Sequence, residues 1–161
     1  RGGDLFPHLY GALAPAESVA SLNTHDMPTF AGWWNGADIT DMRDLELIDD
    51  ANAAAQRAER ERSKAALLAL APPSPPSPLV ADVERAMFAA TTELADGPAE
   101  VVLVAIDDLV LEPVPHNVPG TVDQRPNWQR RVQGWQDSLD PERGTPAAVA
   151  AIAGVVAARK S

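Results

Sequence analysis

Two short apolar runs stand out from an otherwise mixed pattern of polar and hydrophobic positions. Residues 18–22 and 101–106 contain small, aliphatic or β-branched side chains and no charged residue. Runs of this length and composition predict buried strands. The second run is continuously apolar, which is typical of a strand in a parallel sheet that is covered on both faces.

Apolar residues spaced three and four positions apart predict the two longest helices. The first covers residues 51–70 and follows Asp49 and Asp50, either of which can cap it. The second covers residues 79–95 and ends at Gly97, which a proline follows. The predicted core positions are Ala54, Ala58, Ala65 and Leu68 in the first helix, and Val80, Val83, Met87, Ala90 and Leu94 in the second.

Shorter helices and a proline-rich break complete the pattern. Residues 28–34, 40–47 and 146–159 are predicted to be short helices, and the charged run 57–62 is interpreted as a solvated helix face. Residues 71–78 hold five prolines in eight positions. Such a segment predicts an extended surface connection between two helices, with a domain linker or a ligand for a signalling module as alternatives.

Composition narrows the classes of protein to consider. The chain of 161 residues is long enough for one domain but too short for a complete (β/α)8 barrel of about 250 residues. Its net charge of −10 argues against binding to nucleic acid or to an anionic membrane surface. The absence of cysteine excludes disulfides and thiol catalysis. No apolar run approaches the roughly 20 residues of a membrane span, so we expect a cytoplasmic protein.

Candidate chemistry begins directly after the first predicted strand. His25 and Asp26 form a potential acid/base pair at the carboxyl end of that strand, where ligands collect in parallel α/β proteins. Trp33 and Trp34 offer flat apolar faces on which a sugar ring can stack. Two alternatives stay open: Asp26 could cap the following helix, and both tryptophans could belong to the core.

A second segment of similar character follows the second predicted strand. Residues 112–131 combine several prolines with His116, Asn117 and Trp128, which are residue types common in binding loops. Trp128 is interpreted as structural. Asp107 and Asp108, at the end of the same strand, are interpreted as a pair that caps a helical turn. We expect both segments to lie on the same rim of the sheet.

Together these segments resemble the 4-α-glucanotransferases, the amylomaltase or disproportionating-enzyme family of glycoside hydrolases. The matching stretches are residues 18–36, 101–109 and 112–132. The specific part is the motif THDMPTFAGWW, with NVPGT and PNWQRR downstream of it. The resemblance implies an α/β fold in which residues 1–161 form the C-terminal portion of a (β/α)8 TIM barrel, with residues 71–78 as a connection inside it.

The resemblance also implies roles for individual residues. Members of the family use an aspartate nucleophile, a glutamate acid/base and a third acid, the aspartate of the THD motif, which holds hydroxyls of the donor sugar. Only the third acid maps here, onto Asp26, with His25 beside it as a substrate contact. The resemblance and the side-chain chemistry together make Asn117 the preferred further sugar contact. His116 departs from the residue that the family leads us to expect at its position, so it is assigned no role. Since the motifs of the other two acids lie upstream in the family, we expect the chain to be the C-terminal part of a longer enzyme.

The expected activity is transfer of α-1,4-glucan segments between maltodextrins by a retaining mechanism that needs no cofactor. One alternative is a fragment that binds glucan through the same contacts without turnover. Another is a metal-dependent hydrolase that uses His25, Asp26 and His116. The sequence disfavours this last reading, because none of its three histidines belongs to a close ligand pair.

Overall fold

The computed structural model describes residues 15–71 and 81–131. These residues form two strands and five helices, with four of the helices between the strands. In chain order they are β1 (Val19–Ser21), α1 (Phe30–Asn35), α2 (Ala37–Asp44), α3 (Asp50–Leu70), α4 (Asp82–Asp96), β2 (Val101–Leu103) and α5 (Ile106–Leu109). The architecture is therefore of the α/β class, with the helices between and after two strands.

The two strands pair in parallel, as the sequence predicts for a fold of this class. Val19 is opposite Val101, and Ser21 is opposite Leu103. Both strands are shorter than their apolar runs, and the second is not buried, since Leu103 is 54% exposed. A parallel strand is covered only when further strands and helices flank it, and the described residues supply two strands to the sheet. The first strand is not buried either, since Val19 is 61% exposed. The prediction of two buried strands is therefore wrong for the described part of the chain.

Local capping explains where the helices begin and end. Thr29 accepts a hydrogen bond from the Gly32 N–H and caps α1. Gly36 adopts a left-handed φ of 73°, which ends α1 and starts α2 at the next residue. The second short helix therefore begins three residues before the predicted residue 40. Asp49 caps α3 by accepting from the Asn52 N–H, which confirms one of its two candidate caps.

The hydrophobic core lies between α1, α3 and α4. Its buried members are Phe30, Trp33, Leu67, Ala86, Met87 and Ala90. Met87 and Ala90 were both expected on the inner face of α4, and Gly97 follows that helix as predicted. The spacing of apolar residues was enough to predict these two buried positions, because α4 has a clear division between an apolar and a polar face.

Helix α3 packs through a face that its apolar pattern did not predict. Ala54, Ala58 and Ala65 are exposed, whereas Ala53, Arg60 and Leu67 are buried. Arg60 forms two hydrogen bonds to the carboxylate of Asp38 on α2, at 2.8 and 3.0 Å. It also donates to the Trp33 carbonyl and lies over the Trp33 ring. The interpretation of residues 57–62 as a wholly solvated face is therefore wrong at Arg60.

Several sequence predictions lie outside the described residues. These are the terminal helix at residues 146–159, the position of Val80, and residues 72–78 of the proline-rich segment. The assignment of the whole chain to one barrel portion likewise stays a prediction. Among the helices of the described ranges, none combines the length and the hydropathy that a membrane span requires.

Candidate active site

The first candidate segment forms a tight turn at the carboxyl end of β1. The Met27 N–H donates to the Thr24 carbonyl at 3.0 Å, so His25 and Asp26 occupy the middle of the turn and face solvent. Asp26 is not the cap of α1, because Thr29 has that role. The alternative reading of Asp26 as a helix cap is therefore wrong, and its carboxylate is available for other contacts.

Three residues singled out in the sequence meet at this turn. One carboxylate oxygen of Asp26 accepts a hydrogen bond from the Asn117 side-chain amide at 2.7 Å. The other lies 3.4 Å from Nε2 of His25. The Asp26 side chain nevertheless remains 54% exposed. A carboxylate, an imidazole and an amide thus share one open surface, which is a suitable set for hydrogen bonding to hydroxyl groups.

A buried carboxylate holds this turn against the rest of the fold. Asp108 is 1% exposed. It accepts from the Phe30 N–H at 2.7 Å and from the Asn23 amide at 2.8 and 3.0 Å. Burial raises the pKa of Asp108, and the hydrogen bonds from Phe30 and Asn23 partly oppose that rise. These bonds fix both ends of the segment that carries His25 and Asp26.

The interpretation of Asp107 and Asp108 as caps of their own helical turn is wrong. Ala105 is the N-terminal cap of α5, and no side-chain hydrogen bond caps that helix. Instead, Asp108 bonds to residues at β1 and α1, and Asp107 pairs with Arg130 and His116. Long-range contacts of this kind leave no periodic signal in the sequence.

A close approach at Gly32 brings the second candidate segment to the turn. A Cβ atom at this position would lie 2.5 Å from the Pro113 carbonyl oxygen, so only glycine allows the loop to pack on α1. Further along, Asn127 accepts from the Val118 N–H and donates to the carbonyl and hydroxyl of Thr121. These contacts brace the loop from which Asn117 reaches Asp26.

Trp128 adds an aromatic side chain to the same surface. Its ring centroid lies 5.3 Å from that of His25 and 6.3 Å from that of His116, and the latter pair is nearly parallel. The second imidazole is anchored in turn, with its Nε2 3.3 Å from Asp107. Arg130 bridges Asp107 and Glu112 beneath this group. The sequence alone favoured a structural role for Trp128 and gave His116 no role in the sugar site.

A cavity of about 300 Å³ opens beside Asp26 and Asn117. Its lining is mainly apolar and includes Met27, Met42, Leu45, Val118 and several prolines. Polar groups therefore stand at one part of a largely apolar concavity, which is the usual construction of a small-molecule site. Within residues 15–71 and 81–131, no three His, Asp or Glu side chains come together as a metal site.

Comparison with known proteins assigns this chain to a family. A model of the 4-alpha-glucanotransferases, glycoside hydrolase family 77, matches residues 7–137. The chain belongs to this family. Proteins named 4-alpha-glucanotransferase from Mycobacterium tuberculosis and Mycobacterium bovis are each 31% identical over 130 residues. These matches cover 77% of this chain and 18% of each relative, so the chain spans about a fifth of the length of those proteins.

The family match extends over every element of the described structure and over both candidate segments. It thereby confirms the resemblance inferred from the motifs. The turn with His25 and Asp26, the loop with Asn117, and Trp128 all lie inside the matched range. The site is therefore a feature of the part of the chain that the family model describes.

The two adjacent tryptophans lie apart from this group. Trp33 is a buried member of the core and has the Arg60 guanidinium over its ring. Trp34 is half-buried against the same core, with the Lys64 ammonium 5.3 Å from its ring centroid. Neither lines the cavity beside Asp26. This packing favours the core alternative over sugar stacking, which stays a prediction for both residues.

Proposed function

We propose that this chain carries the sugar-holding part of the active site of a 4-α-glucanotransferase. The observation that supports this most directly is the meeting of Asp26, His25 and Asn117 on one exposed surface. Asp26 and Asn117 are 91 positions apart in the chain, and the resemblance implies a sugar contact for each. The substrate class is an α-1,4-glucan such as a maltodextrin.

In this proposal Asp26 acts as a fixed hydrogen-bond acceptor for hydroxyls of the donor sugar. During retaining transfer, positive charge develops on the sugar ring and a covalent glycosyl-enzyme forms. A carboxylate positioned before the reaction stabilises that charge more than it stabilises the ground state. Asn117 orients Asp26 through its amide, and His25 donates to a hydroxyl of the same sugar.

The reacting carboxylates belong, in this proposal, to a part of the enzyme other than these residues. Of the acids at the β2 end, Asp108 is buried and accepts three hydrogen bonds from two donors, Asn23 and Phe30. Asp107 is held by Arg130 and His116. A nucleophile must instead be free to attack the anomeric carbon. The resemblance assigns both reacting groups to upstream motifs, and the chain spans 18% of its curated relatives.

We further infer that β1 and β2 are neighbouring strands of a (β/α)8 barrel in the complete enzyme. Their parallel pairing and the helices between them support this assignment. Both site segments follow the carboxyl end of a strand, where the active sites of such barrels lie. A cytoplasmic location, inferred from composition, belongs to the same proposal.

The test is an incubation of the protein at its native length with maltotriose. Transfer of a maltosyl unit releases glucose and transfer of a glucosyl unit releases maltose, and in both cases the acceptor becomes a maltodextrin longer than the substrate. Release of glucose without longer products would instead indicate a hydrolase. Absence of any product would contradict the proposed activity.

A non-catalytic glucan-binding protein is the second candidate. The engagement of Asp107 and Asp108 in internal contacts favours it for the 161 residues taken alone. This candidate predicts that maltoheptaose binds the native-length protein but is never converted. Calorimetric titration, followed by chromatography of the same sample, separates binding from turnover.

A further inference from the structure

Trp128 is the exposed one among the Phe and Trp residues of ranges 15–71 and 81–131. It is 60% exposed. The remaining Phe and Trp residues of the described ranges are buried or half-buried: Phe30, Trp33, Trp34 and Phe88. Exposure of so large an apolar surface opposes folding, because it forgoes the hydrophobic gain of burial. An indole held in this way is a candidate for contact with a ligand.

The backbone at Trp128 is strained as well. Its φ of 61° lies in the left-handed region, which bulky side chains rarely adopt. The fold nevertheless maintains it, because the Trp128 N–H donates to the His116 carbonyl at 2.8 Å and the preceding Asn127 braces the loop. Strain that surrounding contacts maintain is concentrated at functional sites.

The surroundings of the indole define the ligand that it fits. Its ring has the imidazoles of His25 and His116 as neighbours, and His25 in turn lies beside Asp26. In the part of the chain that the structure describes, the indole N–H has no acceptor. An apolar ring face with a free donor at its edge matches a sugar, which presents a C–H face bordered by hydroxyls. The nearby Asp26 and the net charge of −10 disfavour an anionic ligand.

We propose that Trp128 is a stacking platform for a glucosyl unit of the α-1,4-glucan, next to the unit that Asp26 holds. This inference rests on the proposed function and extends it to Trp128, which was interpreted as structural from the sequence. His116 holds the indole in place through the parallel ring contact, and Asp107 anchors His116. Trp128 therefore contributes to affinity for the glucan chain rather than to bond cleavage.

The test compares Trp128→Asn, Trp128→Phe and Val122→Ala in the native-length protein. Asparagine tolerates the left-handed backbone but removes the ring, so the melting temperature is expected to be unchanged or higher. Phenylalanine keeps an aromatic face without the N–H. Val122 is an exposed residue of the same loop and serves as the control. Affinity for maltoheptaose is measured by calorimetry with Asp26→Asn in every protein, to prevent turnover, and KM and kcat are measured without it.

A stacking platform predicts about tenfold weaker binding and a higher KM for Trp128→Asn, with kcat largely kept. Trp128→Phe is expected to lose less affinity, and Val122→Ala none. Unchanged affinity of Trp128→Asn for maltoheptaose would overturn the platform. A Trp128→Asn protein that melts at a lower temperature and loses kcat, with KM unchanged, would overturn it as well. If the unsubstituted protein forms no products but Trp128→Asn still weakens binding, the platform stands and the transferase activity fails. If the protein with both native Trp128 and native Asp26 does not bind maltoheptaose, the platform is overturned.

Discussion

Two aspartates illustrate how the exposed rim of this protein differs from the framework beneath it. In the rim (His25, Asp26, Asn117 and Trp128), Asp26 is half-exposed and accepts one hydrogen bond from a side chain. In the framework, Asp108 is fully buried and accepts from the Phe30 N–H and twice from Asn23. The Asp26 carboxylate is therefore accessible to a ligand, whereas the hydrogen bonds of the Asp108 carboxylate are all made within the protein.

The difference separates function from stability. A buried carboxylate whose partners are all internal holds segments together, and its loss leaves donors unsatisfied. An open carboxylate contributes little to folding, because water replaces its partner when that partner is removed. We therefore expect substitutions in the framework to lower stability, and substitutions in the rim to lower activity while stability is retained.

The largest expected effect on stability is that of Arg60→Met. The substitution leaves Asp38 buried without its cation, and breaking a buried pair in this way costs about 3–5 kcal/mol. Chemical denaturation measures this loss as a lower free energy of unfolding. The control Arg62→Met removes an exposed cation on the same helix and should change that free energy by less than about 0.5 kcal/mol.

The double variant Asp38→Leu with Arg60→Met sharpens this prediction. Removing both charges should restore much of the stability that Arg60→Met loses, since an apolar pair needs no partner. A double variant as unstable as Arg60→Met would show that Arg60 acts through its contacts with Trp33 instead.

The largest expected effect on activity is that of Asp26→Asn. Loss of the negative charge beside the sugar should lower kcat by roughly 100- to 1000-fold, as for other groups that stabilise transition-state charge. The melting temperature should stay unchanged, because the side chain is exposed. Activity is measured as glucose release from maltotriose, and folding by circular dichroism. Near-native activity in a folded Asp26→Asn protein would remove Asp26 from the site.

Asp108→Asn should lower both stability and activity, and the loss of stability should be the direct effect. The variant's amide turns a donor towards Asn23 or the Phe30 N–H, which leaves a buried donor unsatisfied at a cost of about 1–3 kcal/mol. The turn with Asp26 then loses its anchor, so kcat falls as well. The exposed Asp82→Asn is the matched control. A stable Asp108→Asn protein would contradict the framework role.

The smallest expected effect is a pH dependence of stability that arises from Asp108. Because burial raises its pKa in the folded protein, the folded state holds a proton that the unfolded state has released. Its contribution to stability therefore falls as pH rises from about 4 through the raised pKa. Asp108→Asn lacks this dependence. The difference in unfolding free energy between the two proteins, measured across this range, should be largest at the acidic end.

Much of the local structure could be predicted from the sequence. The apolar runs located both strands, Asp49 was a candidate cap of α3, and the spacing of Met87 and Ala90 predicted their burial. The expectation that two segments after strand ends share one rim is matched by the bond between Asp26 and Asn117. These predictions succeeded because they rest on helix and strand periods, on capping and on the direction of parallel strands.

The failures have a common cause. Arg60 and Asp108 were each interpreted from local chemistry, as a solvated cation and a helix cap. Their observed environments come from partners far away in the chain, such as Phe30, which is 78 positions from Asp108. A charged side chain can be buried only where the fold brings a hydrogen-bonding or charged partner next to it. The periodic pattern of the sequence contains no information about such distant partners.

The sequence by itself thus determined the family, the order of helices and strands, and the two segments that carry the site. Motifs and periodic patterns are local, so they can be read from one chain. Only the tertiary structure decided that Thr29 rather than Asp26 caps α1, that Asp108 anchors the turn, and that Trp128 stands exposed beside His25. Those outcomes depend on which distant groups satisfy one another's hydrogen bonds once the chain is folded.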